Sequence, residues 1–196
     1  SISLTEIYYG LQLQLLVYLD AILESAKDED ININPAAILY CRINNPIAKF
    51  NEDKDDEEIQ EAILKELRMK GLVVKDSHIV KEMDKSLIDG ERKNSLVIPV
   101  GLTKDGNVGK STSAISYEDF KLLRKYVRHA IKDLCEEMLS GEIRIAPYKH
   151  KDGTSCDFCD YSAICQFDST IKDNKYKNLN NKSNEEIIKM MKGDVN

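Results

Sequence analysis

Three thiols within ten residues constrain this chain more than any other feature: Cys156, Cys159 and Cys165, in the stretch SCDFCDYSAICQFD. Two stand at Cys-x-x-Cys spacing and the third follows six residues on. The segment has no helical or strand periodicity, so core packing explains these cysteines poorly. Thiolates bind soft metals, and a Cys-x-x-Cys turn lets two of them point at one ion. Such sites normally take four ligands, and the residues leave the fourth open. His150 would complete a His-Cys-Cys-Cys zinc set, whereas an iron–sulfur cluster wants four thiolates. The two other cysteines, Cys41 and Cys135, fall in or beside apolar runs, and such residues are more often plain core thiols.

The chain has 196 residues, 42% of them hydrophobic and 32% charged, which suffices for one compact domain or for a piece of a larger one. Net charge is −6, so nucleic-acid contact must be local or shared with a partner. No apolar run approaches the roughly 20 residues of a membrane span. The N-terminal SISLTEIYYG lacks a basic segment followed by an apolar core, so no signal peptide is expected. An odd cysteine count without secretion signals points to free thiols in a reducing cytoplasm.

Hydrophobic periodicity predicts one long helix from Thr5 to Ala26. Leu11, Leu15, Tyr18, Leu19 and Ile22 share a face, and Leu13, Leu16 and Val17 fill most of the other side. A helix apolar nearly all round is expected to be central and buried, as if the chain began in the middle of a fold. Pro35 to Asn44 reads as a buried strand. The acidic run NEDKDDEE reads as a solvated helix start, the helix continuing through Ile59, Ile63 and Leu67 to Gly71. A strand or loop and a short helix follow in GLVVKDSHIVKEMD. Ser95 to Val100 reads as a strand, and TKDGNVGKSTSA as a polar loop. Ser116 with Asp119 resembles a capping box. It opens a helix with Phe120, Leu123, Val127, Ala130, Ile131, Leu134 and Met138 on one face, stopped by Gly141. The polar tail carries one weak helix near Glu185 to Met191.

Gln14 and Tyr18 stand at i and i+4 and therefore share a helix face. A glutamine among apolar side chains must find a hydrogen-bond partner, in a structural or a functional role; Gln12 is a second candidate. GKST, Gly109 to Thr112, is not a phosphate loop, because the glycine required five residues earlier is Lys104. At most Lys110 touches a phosphate. No Asp…(Asp/Glu)-x-Lys pair stands at a strand end, and His78, His129 and His150 form no cluster. The chain alone shows no catalytic set.

Taken together, YYGLQLQLLVYLDAIL, PAAILYCRI, KSTSAISYEDFKLLRKYV and PYKHKDGTSCDFCDYSAICQFD resemble the C-terminal part of the AddB family, the second subunits of bacterial AddAB helicase–nucleases. The resemblance covers most of the chain. It implies a mixed α/β fold: part of a RecB-like PD-(D/E)xK nuclease core, a small sheet flanked by helices, over residues 1–145. A cysteine-rich segment over 146–168 and a polar tail over 169–196 follow. It further implies that Gln14 and Tyr18 match the family's Gln-x-x-x-Tyr motif at the active site. Cys156, Cys159 and Cys165 become three ligands of a 4Fe-4S cluster whose fourth cysteine lies outside this chain. The catalytic carboxylates that hold Mg²⁺ would precede Ser1, leaving this fragment inactive alone. The implied partners are DNA and the AddA helicase–nuclease subunit, in ATP-dependent break repair by homologous recombination, with no membrane.

Two readings from other classes compete. One is a non-enzymatic zinc module for nucleic-acid or protein binding, built on His150, Cys156, Cys159 and Cys165. The other is an interaction domain with idle thiols.

Overall fold

A computed structural model describes residues 2–44, 46, 55–88, 93–111, 113–150 and 153–195. Along the chain run α1 (Leu4–Tyr8), α2 (Gln14–Asp28), β1 (Ala37–Tyr40), α3 (Asp56–Leu67), β2 (Lys70–Val74), α4 (Ser77–Met83), a 3-10 turn (Lys85–Leu87), β3 (Ala114–Ile115), α5 (Tyr117–Leu139), β4 (Tyr148–His150), β5 (Gly153–Thr154), α6 (Ser162–Cys165), β6 (Lys177–Asn178) and α7 (Asn184–Asp194). The chain divides into two units: Ser1–Ile2 with Leu13–Arg124, and Ser3–Gln12 with Lys125–Asn196.

The single N-terminal helix expected from periodicity is two helices. Gly10 sits at φ +81° after α1; its N–H donates to the Ile7 carbonyl, and the Leu11 N–H reaches back to Glu6. This pair of bonds is a Schellman stop, which needs a left-handed residue and so favours glycine. Nor is α2 buried all round. Leu16 and Leu23 face the core, while Tyr18 and Ile22 are 55% and 60% exposed. Two residues seven apart lie on one narrow stripe of a helix, so a single packed face accounts for the burial of α2 in this unit.

In the first unit a three-stranded sheet has the order β1-β2-β3, antiparallel between β1 and β2 and parallel between β2 and β3. Only Ala37–Tyr40 of the expected Pro35–Asn44 strand pairs, and it lies at a sheet edge. Gly71 is not a helix stop: α3 ends at Leu67, and Gly71 pairs with Leu39 in β2. A Cβ there would lie 2.0 Å from the Ile38 carbonyl oxygen, so the strands approach only because the residue is glycine. The acids Asp56, Glu57 and Glu58 open α3 behind an Asp55 cap; the earlier part of the acidic run, 51–54, lies outside the described residues.

Val73, Val80, Leu87, Ile98, Val100 and Val108 form the core beneath this sheet. Ser95 to Val100 is a turn, not a strand, with Ser95, Ile98 and Val100 buried and Val97 exposed. The Ser95 hydroxyl accepts the N–H groups of Val97 and Ile98 at 2.9 Å each and donates to the Asp84 carboxylate at 2.5 Å. Asp84 also accepts the Ser86 N–H and hydroxyl. A serine that bonds its own downstream N–H groups takes them away from a strand ladder, and Pro99 supplies none. Val108 is buried within the glycine-rich loop, which bridges back to Leu102. Thr112 of GKST lies outside the described residues.

Ser116 caps α5 as expected, accepting the Asp119 N–H at 3.1 Å. The helix ends on a second Schellman stop, with Gly141 at φ +77° and the N–H groups of Gly141 and Glu142 on the Met138 and Glu137 carbonyls. Its expected apolar face is buried only in its first half: Phe120, Leu123 and Val127 are inside, whereas Leu134 and Met138 are 46% and 77% exposed.

In the second unit α1 packs on α7 through Leu4, Ile7, Ile187 and Met191, all buried. The tail helix is firmer than its polar composition implies. Ser183 and Glu186 form a reciprocal capping box at its start. A small sheet with the order β5-β4-β6 completes this unit. Tyr126 stacks on Tyr8 and donates its hydroxyl to the Tyr8 carbonyl at 2.6 Å. Burial, then the charges of Tyr8 and Asp194, push the Tyr126 phenol far above its ordinary value. None of the described helices is long and apolar enough to cross a membrane.

Candidate functional site

The cysteine loop is a chain of short turns. The Cys159 N–H donates to the Cys156 carbonyl at 3.2 Å, closing the Cys-x-x-Cys turn. The Ser162 N–H then reaches the Cys159 carbonyl, and α6 places Cys165 at its end. One side chain stiffens the start of this loop. Asp157 accepts the Thr154 N–H at 2.7 Å and its hydroxyl at 2.8 Å, and the Cys156 N–H donates to the Thr154 hydroxyl oxygen. These bonds hold the exposed Asp157 carboxyl below its usual range.

All three thiols are free, Cys156 half-buried and the other two exposed. Cys41 and Cys135, expected as core thiols, are exposed as well. Cys41 follows an edge strand, and Cys135 lies in the half of α5 whose apolar face is open. In donor type and turn geometry the late cysteines fit a thiolate-held metal. Among the described residues, however, no three His, Cys, Asp or Glu side chains converge closely enough to hold an ion. His150 lies on β4, opposite Gly153.

Gln14 opens α2, and its Nε2 donates to the Tyr18 hydroxyl oxygen at 2.9 Å across one helical turn. Both side chains are exposed. Gln12 differs: its Oε1 accepts the Ser3 N–H at 3.0 Å, tying down the start of α1. The i, i+4 pairing predicted a shared face, and the structure adds a direct bond between the two exposed side chains.

A third feature was not singled out from sequence. In β4 and β6, Lys149 Nζ lies 5.2 Å from the ring centre of Tyr176, and Lys177 Nζ 5.7 Å from that of Tyr148. Phe167 meets Tyr176 edge-on at 4.9 Å. The signal present in the sequence was the lysine spacing of KDNKYKNLNNK, residues 172–182, in an otherwise acidic chain.

The sequence profile of the PD-(D/E)XK nuclease superfamily matches residues 1–166. The chain belongs to that superfamily. Its mixed α/β elements, small sheets flanked by helices, are consistent with part of such a nuclease fold. Superfamily membership carries with it the use of a divalent metal ion. Among curated relatives, the B-type subunit of the ATP-dependent helicase/deoxyribonuclease of Thermoanaerobacter sp. (strain X514) is 49% identical over 195 residues, covering 100% of this chain and 17% of the relative. The proteins of the same description from Acetivibrio thermocellus and from Clostridium botulinum (strain Hall) are 48% and 50% identical, over 96% and 94% of this chain. The chain thus spans only 16–17% of the length of these relatives. A free-standing zinc knuckle is not favoured by a match that runs along the whole chain into a helicase/deoxyribonuclease.

Proposed function

We propose that this chain is the C-terminal portion of the AddB-type subunit of an ATP-dependent helicase–deoxyribonuclease that processes double-strand breaks for homologous recombination in the cytoplasm, working with an AddA-type partner. The observation that carries this reading is identity near one half, sustained over the whole chain, to proteins of that description. In this reading residues 1–145 are the back of the nuclease domain, and the Mg²⁺-binding carboxylates are not among this chain's residues. Gln14 and Tyr18 border the active site. The tyrosine hydroxyl holds the glutamine amide nitrogen, so its carbonyl oxygen is oriented toward DNA or toward the strand that carries the metal ligands.

Cys156, Cys159 and Cys165 would supply three thiolates to a 4Fe-4S cluster. Bound there, the cluster is a structural staple that closes a long loop, so its binding free energy becomes folding free energy. The Thr154–Asp157 bonds prepare the first turn for this by fixing the backbone on which Cys156 sits.

The test is anaerobic metal analysis with a visible spectrum, on this chain and on the full-length protein that carries it. Iron with a broad absorbance near about 400 nm in the full-length protein, lost in Cys156→Ala, is the expected result. One stoichiometric zinc in the 196-residue chain, lost in His150→Ala, would overturn the reading.

A further inference from the structure

Two aspartates stand beside cysteines of the late loop, Asp157 after Cys156 and Asp160 after Cys159. The Asp157 carboxylate is committed within the loop: one oxygen accepts the Thr154 N–H at 2.7 Å and the other the Thr154 hydroxyl at 2.8 Å. That hydroxyl oxygen in turn accepts the Cys156 N–H at 3.2 Å, and the Asp157 N–H returns to the Thr154 carbonyl. Short polar side chains bond neighbouring backbone groups in this way and fix a turn that the chain would otherwise only visit. Asp160 takes no part in these bonds.

The locked turn is fastened to the small sheet. Thr154 lies in β5 opposite Lys149 of β4, and the Ser155 N–H donates to the Tyr148 carbonyl at 3.0 Å. Gly153 completes the arrangement. Its φ is not in the left-handed region, so the backbone alone does not require glycine there. The requirement is room: a Cβ at Gly153 would lie 2.7 Å from Asp157 Oδ2, and the next atom it would meet is Cγ of the same carboxylate at 3.9 Å. A methyl group at this position therefore displaces the exposed carboxylate and little else.

We propose that Asp157 is a positioning residue for the metal-binding loop. Through Thr154 it fixes the backbone that presents Cys156 in the Cys-x-x-Cys turn, and Gly153 leaves space for its carboxylate. The proposal rests on the reading of Cys156, Cys159 and Cys165 as cluster ligands. Partners that hold ligand-bearing groups in place typically change metal affinity 10–100-fold, because an ordered ligand loses less freedom on binding.

The test is the rate of iron loss from the anaerobically purified full-length protein challenged with a ferrous-iron chelator, read as decay of the absorbance near about 400 nm. Asp157→Ala, Thr154→Val and Gly153→Ala are each expected to speed the loss roughly 10-fold. Thr154→Ser, which keeps the hydroxyl, should lose iron at the wild-type rate. Gly153→Ala/Asp157→Ala should be no faster than Asp157→Ala alone, because the added methyl acts only through the carboxylate. Asp160→Ala removes the same charge beside a cysteine without touching the lock, and should behave like wild type.

Iron loss from Asp157→Ala at the wild-type rate would overturn the proposal and leave the cluster reading standing. So would an equal acceleration by Asp160→Ala, a Thr154→Ser protein as labile as Thr154→Val, or additive effects in the double variant. Zinc in place of iron would overturn the cluster reading, and the same variants compared by chelator-driven zinc release would still decide the role of Asp157. A full-length protein that binds neither metal would overturn both.

Discussion

Replacing Ser95 by alanine removes one oxygen that serves three partners. Its hydroxyl donates to Asp84 and accepts two backbone N–H groups, those of Val97 and Ile98. Ser95 is fully buried and Asp84 is only 7% exposed, so water cannot readily take the oxygen's place. A hydrogen bond to a charged group contributes about 1.5–3 kcal/mol, and a buried donor left unmatched costs about 1–3 kcal/mol. The three bonds share one atom and do not add in full, so Ser95→Ala is expected to cost about 3–5 kcal/mol. That is a large part of the roughly 5–15 kcal/mol that holds a domain together. At about 2–4 °C per kcal/mol for a chain of this size, the melting temperature should fall by about 10 °C. The assay is urea denaturation followed by circular dichroism, with Ser111→Ala as the reference, since that hydroxyl is only part-buried and bonds Pro99 and Ser113. If Ser95→Ala shifted the midpoint no more than Ser111→Ala, with the slope unchanged, the turn would not be held by this hydroxyl.

Further outcomes follow from the second unit. Ile187→Ala empties a fully buried position between α7 and α1 and should destabilise by about 2–5 kcal/mol, read as a lower denaturation midpoint. Ser183→Ala removes the capping box of α7 and should cost about 1 kcal/mol, visible as lost helical ellipticity at low denaturant. The Tyr126 phenol is raised in the folded chain from an ordinary value of 10.0, so the neutral form is the one the fold favours. Its contribution is fully present below about pH 10 and is lost as pH rises beyond that toward the higher folded value. Melting temperatures measured from pH 8 to 11 should therefore fall at the alkaline end, and Tyr126→Phe should flatten that fall while lowering the plateau through the lost bond to Tyr8. A profile unchanged by the substitution would contradict the assignment.

What the sequence determined by itself is local chemistry. Ser116 and Asp119 mark the start of α5, and Gly141 its end, because a helix terminus is satisfied by atoms within four residues of it. The i, i+4 spacing of Gln14 and Tyr18 put them on one helix face for the same reason, and the Cys-x-x-Cys spacing predicts the turn that the Cys159 N–H closes. The nuclease resemblance was legible because it rests on residue identities along the whole chain rather than on any one contact.

Tertiary structure decided what depends on distant partners. Ser95 to Val100 has the apolar run of a strand, and becomes a turn where the Ser95 hydroxyl takes the N–H groups of Val97 and Ile98 while it donates to the distant Asp84. Leu134, Met138, Tyr18 and Ile22 have the periodicity of core residues, yet periodicity only states which side chains share a face. Whether anything packs on that face is set by the other elements, and here nothing in the described residues covers it. The lysine–ring contacts have no signature in any single window: Lys149 and Tyr176, like Tyr148 and Lys177, lie far apart in sequence, and only the parallel pairing of β4 with β6 sets each lysine beside its ring.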